Sequence, residues 1–144
     1  MSSRSRLLIL AALLLSNCAL PLRAECTREA AMMAERESST LETWQDLHAS
    51  YKKYKQCDDG AIGEGYSNSV GTLLSDGWNE LPRLLSLSKA DPGFGEFVLR
   101  HVDQTIPAAT LQTISENARS RCPTDAASTC ARIISAVQET LAPQ

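Results

Sequence analysis

The residues best suited to chemistry lie in one stretch, Tyr51-Lys-Lys-Tyr-Lys-Gln-Cys57-Asp58-Asp59-Gly60-Ala-Ile-Gly63-Glu64-Gly65-Tyr66. Asp58, Asp59 and Glu64 form an acidic cluster beside aromatic rings. Two carboxyl groups can cleave a glycosidic bond when an apolar pocket keeps one of them protonated. A small glycan hydrolase using Asp59 or Glu64 is therefore one reading. A structural role is the plainer one: Asp58 caps the following helix, and Asp59 sits in its first turn, where the helix dipole favours negative charge. Asp58-Asp59-Gly60 could begin a calcium loop, but the remaining ligand spacing is absent. No strand precedes the glycines and no Gly-Lys-Ser/Thr follows them, which argues against a phosphate loop. Close helix packing at Gly60, Gly63 and Gly71 is the expected use.

Elsewhere the chemistry thins out. The chain has two histidines, His48 and His101, and neither lies in a His-Glu-x-x-His pattern. Arg100-His101-Val102-Asp103 falls at a helix end, with His101 partly buried and Arg100 and Asp103 expected toward solvent; binding or catalysis by His101 is the alternative. Gly65-Tyr66-Ser67-Asn68-Ser69 misses the Gly-x-Ser-x-Gly elbow at its last position and falls inside a helix, so Ser67 is not a credible nucleophile. Trp78 stands at a helix boundary, either as a core residue or as an exposed interface anchor. The Lys89–Gly93 connection carries Asp91 and is either an ordinary helix link or a protrusion that enters a partner's cleft. The candidate partner-binding residues are thus Asp58, Asp59, Glu64, Tyr66, Trp78, Asp91, Arg100 and His101. No catalytic set, metal site or cofactor motif emerges.

Helices must position these residues, because nothing alternates with period two for long enough to make a strand. Ala, Met, Glu and Arg fill Cys26 to Glu37 and favour a helix, with Met32 and Met33 joining Ala30 and Ala34 on its apolar face. Ser39 and Glu42 make a capping box for a second helix over about 40–56, with Leu41, Trp44, Leu47, His48 and Tyr51 at three- and four-residue steps. A third follows to Asp76-Gly77, and a short fourth runs from Pro82 to about Lys89. Asp91-Pro92 opens a fifth, Ile106-Pro107 a sixth that ends near Cys122-Pro123, and the last spans about 126–141. The expected fold is all-α, a compact bundle of about six to seven short helices.

The first 24 residues read as a signal peptide: Arg4 and Arg6 precede the apolar run Leu7–Leu15, and Pro21 and Ala24 precede the expected mature start at Glu25. Lipidation at Cys18 is an alternative. Residues 25–144 form a single domain of about 120 residues. The formal net charge is −3; the leader holds Arg4, Arg6 and Arg23 and no acid, so its removal leaves 11 basic against 17 acidic residues, a net of −6. That balance suits a basic protein partner and disfavours nucleic acid. No later stretch is apolar enough for an integral membrane segment, and a homodimer is compatible with the composition. Cys26, Cys57, Cys122 and Cys130 form an even set in an exported chain, which implies two disulfides, whereas zinc would want close pairs. An antiparallel hairpin of the first two helices favours Cys26–Cys57, which leaves Cys122–Cys130, although sequence permits the other pairings.

Tyr54-x-x-Cys57-Asp58-x-Gly60, Trp78-x-x-Leu81-Pro82, Phe97-Val98-Leu99-Arg100-His101-Val102-Asp103 and Cys122-Pro123 with Cys130 together resemble small exported helical proteins of Gram-negative bacteria: the periplasmic immunity proteins that accompany type VI secretion effectors. The resemblance covers about Tyr51 to Ile134. It implies a stoichiometric periplasmic inhibitor that occludes the active site of a cognate effector toxin, such as an amidase, another peptidoglycan hydrolase, a metallopeptidase or a phospholipase. An inhibitor of lysozyme is the rival binding function.

Overall fold

In the computed structural model, which describes residues 25–143, seven α-helices and two 3-10 turns pack around one core, and no strand occurs among the described residues. The expected leader, with Cys18, lies outside the described residues.

Helix α1 (Arg28–Glu37) starts where the Thr27 side chain accepts from the Ala30 N–H. Its inner face is made of alanines: Ala34 is fully buried, Ala30 and Ala31 pack against the core, and Met32 and Met33 are exposed. The methionines therefore do not form the expected apolar face. Small side chains let α1 and the linker after it sit close to α3 (Gly60–Ser75). At the closest point, a Cβ on Gly65 would overlap Ser38 Oγ and lie 2.9 Å from Ser38 Cβ and 3.2 Å from the Ser39 nitrogen. Close packing is thus sharpest at Gly65. At Gly71 the neighbour is Ile106 at 3.2 Å. Gly60 has open space around it and a φ of +51°; it supplies the left-handed backbone that begins α3, not a packing surface.

Helix α2 (Trp44–Tyr54) begins later than the sequence pattern suggests. Its cap is Thr43, which accepts from the Asp46 N–H at 3.1 Å and donates to Asp46 Oδ2 at 2.7 Å. The Ser39–Glu42 box does not form, because that segment is already engaged with α3. Ser69 Oγ donates to the Ser38 carbonyl at 2.7 Å and accepts from the Leu41 N–H at 3.2 Å. A tertiary contact overrides a local capping pattern here.

A 3-10 turn (Lys55–Cys57) leads from α2 to α3, and Cys57 pairs with Cys26 across a Cα separation of 4.9 Å. The bond joins the start of α1 to the end of α2, as the hairpin argument expects. Helix α4 (Leu81–Ala90) follows a second 3-10 turn (Trp78–Glu80) and carries Pro82 in its first turn. Helix α5 (Pro92–Arg100) is capped by Asp91, which accepts from the Phe94 N–H. Helices α6 (Ala108–Ser120) and α7 (Ala127–Leu141) are tied at their junction by Cys122–Cys130, with Cα atoms 6.2 Å apart. The two disulfides accord with an oxidising compartment. No helix among the described residues is long and apolar enough to cross a membrane.

The core centres on α5. Phe97 is fully buried, with ring centroids 4.8 Å from Tyr51, 5.1 Å from Tyr66 and 4.4 Å from His101. Aromatic pairs of this kind contribute about 0.5–1.5 kcal/mol each beyond burial of their area. This cluster carries α2, α3 and α5 together and sets where His101 points.

Candidate functional site

The end of α5, the start of α3 and the loop after α5 meet in one polar cluster. Asp59, not Asp58, caps α3: its side chain accepts from the Gly60 N–H at 2.8 Å. Asp58 is thereby free to turn the other way. Its carboxylate accepts from Arg100 Nη2 at 3.0 Å and lies 3.1 Å (Oδ1) and 3.2 Å (Oδ2) from His101 Nε2. Gly63 makes room: a Cβ there would lie 3.3 Å from Asp58 Oδ1. Burial pushes the Asp58 carboxyl up, but the hydrogen bonds and charges of His101 and Arg100 outweigh it and hold it below the ordinary aspartate value.

On the other edge of the imidazole, His101 Nδ1 lies 2.9 Å from Ser67 Oγ. Ser67 Oγ also donates to Asp103 Oδ2 at 2.7 Å, with the Gly63 carbonyl 3.1 Å away. Asp103 Oδ1 accepts from the Thr105 N–H at 2.8 Å. Asp103 therefore turns inward, where the sequence reading has it facing solvent, and Arg100 is tied to Asp58 while its side chain remains 61% exposed.

Serine, histidine and aspartate in mutual contact are the residue types of a nucleophilic triad. Their placement serves a different end. Ser67 is fully buried and His101 is 5% exposed. The serine bonds to a half-buried carboxylate and an interior imidazole, so its hydroxyl has no open side toward a substrate in this conformation. What the cluster does is clamp: it connects α3 to the end of α5 and to the loop that follows.

A second histidine–aspartate pair lies in another part of the molecule. His48 Nε2 is 3.0 Å from Asp91 Oδ2, with side chains 18% and 33% exposed. The hydrogen bond from His48 is the main reason the Asp91 carboxyl lies below its ordinary value; slight burial opposes it and the Phe94 N–H assists. Asp91 is thus tied to α2 as well as capping α5.

Of the candidate residues, the structure brings Asp58, Arg100 and His101 together and leaves Asp91 apart. Asp59, Glu64 and Arg100 are exposed. Tyr66 and Trp78 are interior and, like His101, offer no surface to a partner. Tyr66 is fully buried, with its hydroxyl 2.9 Å from Ser50 Oγ, which in turn lies 2.8 Å from Glu37 Oε1. Burial pushes the Tyr66 hydroxyl up from its ordinary value, against the hydrogen bond to Ser50. Trp78 is 3% exposed and donates its indole N–H to the Arg121 carbonyl at 2.9 Å, which makes it a core residue and not an exposed anchor. The sequence reading considers Ser67 only as a nucleophile and places Asp103 toward solvent, so it misses their bonding to His101 and to each other, as it misses the partnership of His48 with Asp91. One available signal was the four-residue step from Gly63 to Ser67, which puts both on one face of α3 under Asp58. Among the described residues, no group of three or more His, Cys, Asp and Glu side chains is arranged to hold a metal ion. Compared with protein-family models, curated proteins and solved structures, the chain matches none.

Proposed function

We propose that this chain is a periplasmic immunity protein that binds and neutralises a type VI secretion toxin acting on the cell envelope, and that it has no catalytic activity of its own. One observation carries the reading: the residues with catalytic potential, Ser67, His101 and Asp58, are taken up in interior hydrogen bonds. The carboxylates left exposed at the same corner, Asp59 and Glu64, sit beside a disulfide-braced junction. A rigid, acidic surface of this kind suits recognition, because little conformational freedom is lost on binding. The amidase, metallopeptidase and phospholipase toxin classes all remain targets under this reading.

The test is periplasmic co-expression of this protein with the toxin candidate encoded beside it, followed by co-purification. Rescue of growth together with a stable complex is the expected result. Failure of both with every adjacent product overturns the immunity reading. Release of new reducing sugar ends from peptidoglycan by the purified protein alone would instead establish a glycan hydrolase. Inhibition of a lysozyme, without protection from an adjacent product, would establish the rival inhibitor.

A further inference from the structure

An open groove of about 600 Å³ runs between the linker before α2 and the C-terminal half of α3. Leu41, which is partly buried, supplies most of its apolar floor, with the edge of Leu73, a core residue 5% exposed. Glu42 on the linker and Asp76 at the end of α3 are both exposed, and neither forms an ion pair or side-chain hydrogen bond among the described residues. Asp76 is also badly placed for the helix itself. It is the C-cap of α3, where the dipole is negative and a basic side chain is preferred, and the last turn of α3 has no basic residue. Asn117 Nδ2 donates to the Leu74 and Ser75 carbonyls at that end, and Arg121 donates to Asn117 Oδ1, so the carbonyls of α3 are met; the Asp76 and Glu42 carboxylates are the charges left without a partner, and both line the one groove. The position makes poor sense for folding and good sense for a cationic visitor.

We propose that this groove receives a lysine- or arginine-bearing loop of the protein partner. The aliphatic stem lies over Leu41 and the edge of Leu73, as long cationic side chains cover apolar surface while keeping the charged end free. The head group is held by the Glu42 and Asp76 carboxylates. The acidic balance of the whole chain speeds the approach of such a partner. This assignment rests on the reading of the chain as a partner-binding protein, and it moves the contact from the Asp58 corner to the opposite end of α3.

The decisive experiment titrates the ¹⁵N-labelled, disulfide-intact protein with the peptide acetyl-Leu-Arg-Leu-amide and with its citrulline analogue, which keeps the shape and loses the charge. Amide shifts confined to residues 39–42 and 72–77 are expected. Binding should weaken by roughly tenfold for the citrulline peptide and for the double variant E42Q/D76N. Both substituted positions are exposed and the changes are isosteric, and an unchanged melting temperature confirms the fold. Absence of localised shifts at millimolar peptide, or equal binding by the double variant, overturns the proposal. The same variant in the co-expression assay separates the two readings. If wild type and E42Q/D76N protect equally, the groove assignment falls and immunity stands; if wild type fails to protect, immunity falls, and the peptide titration still decides the groove.

Discussion

Two histidine–aspartate pairs of nearly equal length sit in this molecule and do different work. His101–Asp58 is 3.1 Å long, with side chains 6% and 10% exposed; His48–Asp91 is 3.0 Å long, at 18% and 33%. The first is embedded in further bonds to Arg100, Ser67 and, through Ser67, Asp103. The second has one additional duty, the cap on α5. Distance alone does not rank them. Water competes for the exposed pair and screens it, whereas breaking the interior pair strands a charge with no solvent to receive it.

The comparison predicts a graded set of losses. Asp58→Ala leaves the buried His101 Nε2 without its partner, while the exposed Arg100 turns to water, and should lower unfolding free energy by about 3 kcal/mol, read as a fall in the urea midpoint. Ser67→Ala leaves His101 Nδ1 and Asp103 without their shared partner, at a cost of about 2 kcal/mol. A cost for Ser67→Ala equal to or above that of Asp58→Ala would place the weight of the clamp on the hydroxyl and not on the ion pair.

Acid provides a second gradient. Both carboxylates are held below their ordinary values, Asp58 by His101 and Arg100 against burial, and Asp91 chiefly by His48. A carboxylate whose folded value is depressed contributes stability that is fully present above its unfolded value and is lost as pH falls through the folded one. Stability of the wild type should therefore decline in acid below the ordinary aspartate range. Asp58→Asn should flatten that decline more than Asp91→Asn does, as followed by thermal melting from neutral pH downward. An identical flattening by both variants would erase the distinction between the pairs.

The smallest effects belong to the exposed pair. Asp91→Ala should cost about 1 kcal/mol, most of it the lost cap. Asp91→Asn keeps a capping oxygen and should cost less, within about 0.5 kcal/mol of wild type. If Asp91→Asn matched Asp58→Ala in a urea titration, exposure would not be the controlling variable.

The same contrast explains what was legible in the sequence. The cap at Asp91 is written locally, in Asp-Pro ahead of an apolar stripe, and it forms as read. The helices and both disulfides are local too, carried by three- and four-residue periodicity and by cysteines at the ends of a hairpin. The interior cluster is assembled from residues 34 to 43 positions apart, and no local pattern announces such pairings. Assigning the cap to Asp58 hid the role it plays; once Asp59 takes the cap, Asp58 is released toward α5. Ser39–Glu42 failed as a capping box for a related reason, since Ser69 on α3 had already engaged that linker. Trp78 reads as a core residue or as an exposed anchor, because ring type alone does not say which way the backbone turns.

The central claim is that Ser67, His101 and Asp58 act by holding the fold and not by chemistry on a substrate. The most direct measurement is protection by Ser67→Ala in the periplasmic co-expression assay, run below its melting temperature with folding verified by circular dichroism. The account predicts growth rescue equal to wild type. Loss of protection by a folded, toxin-binding Ser67→Ala protein would contradict it.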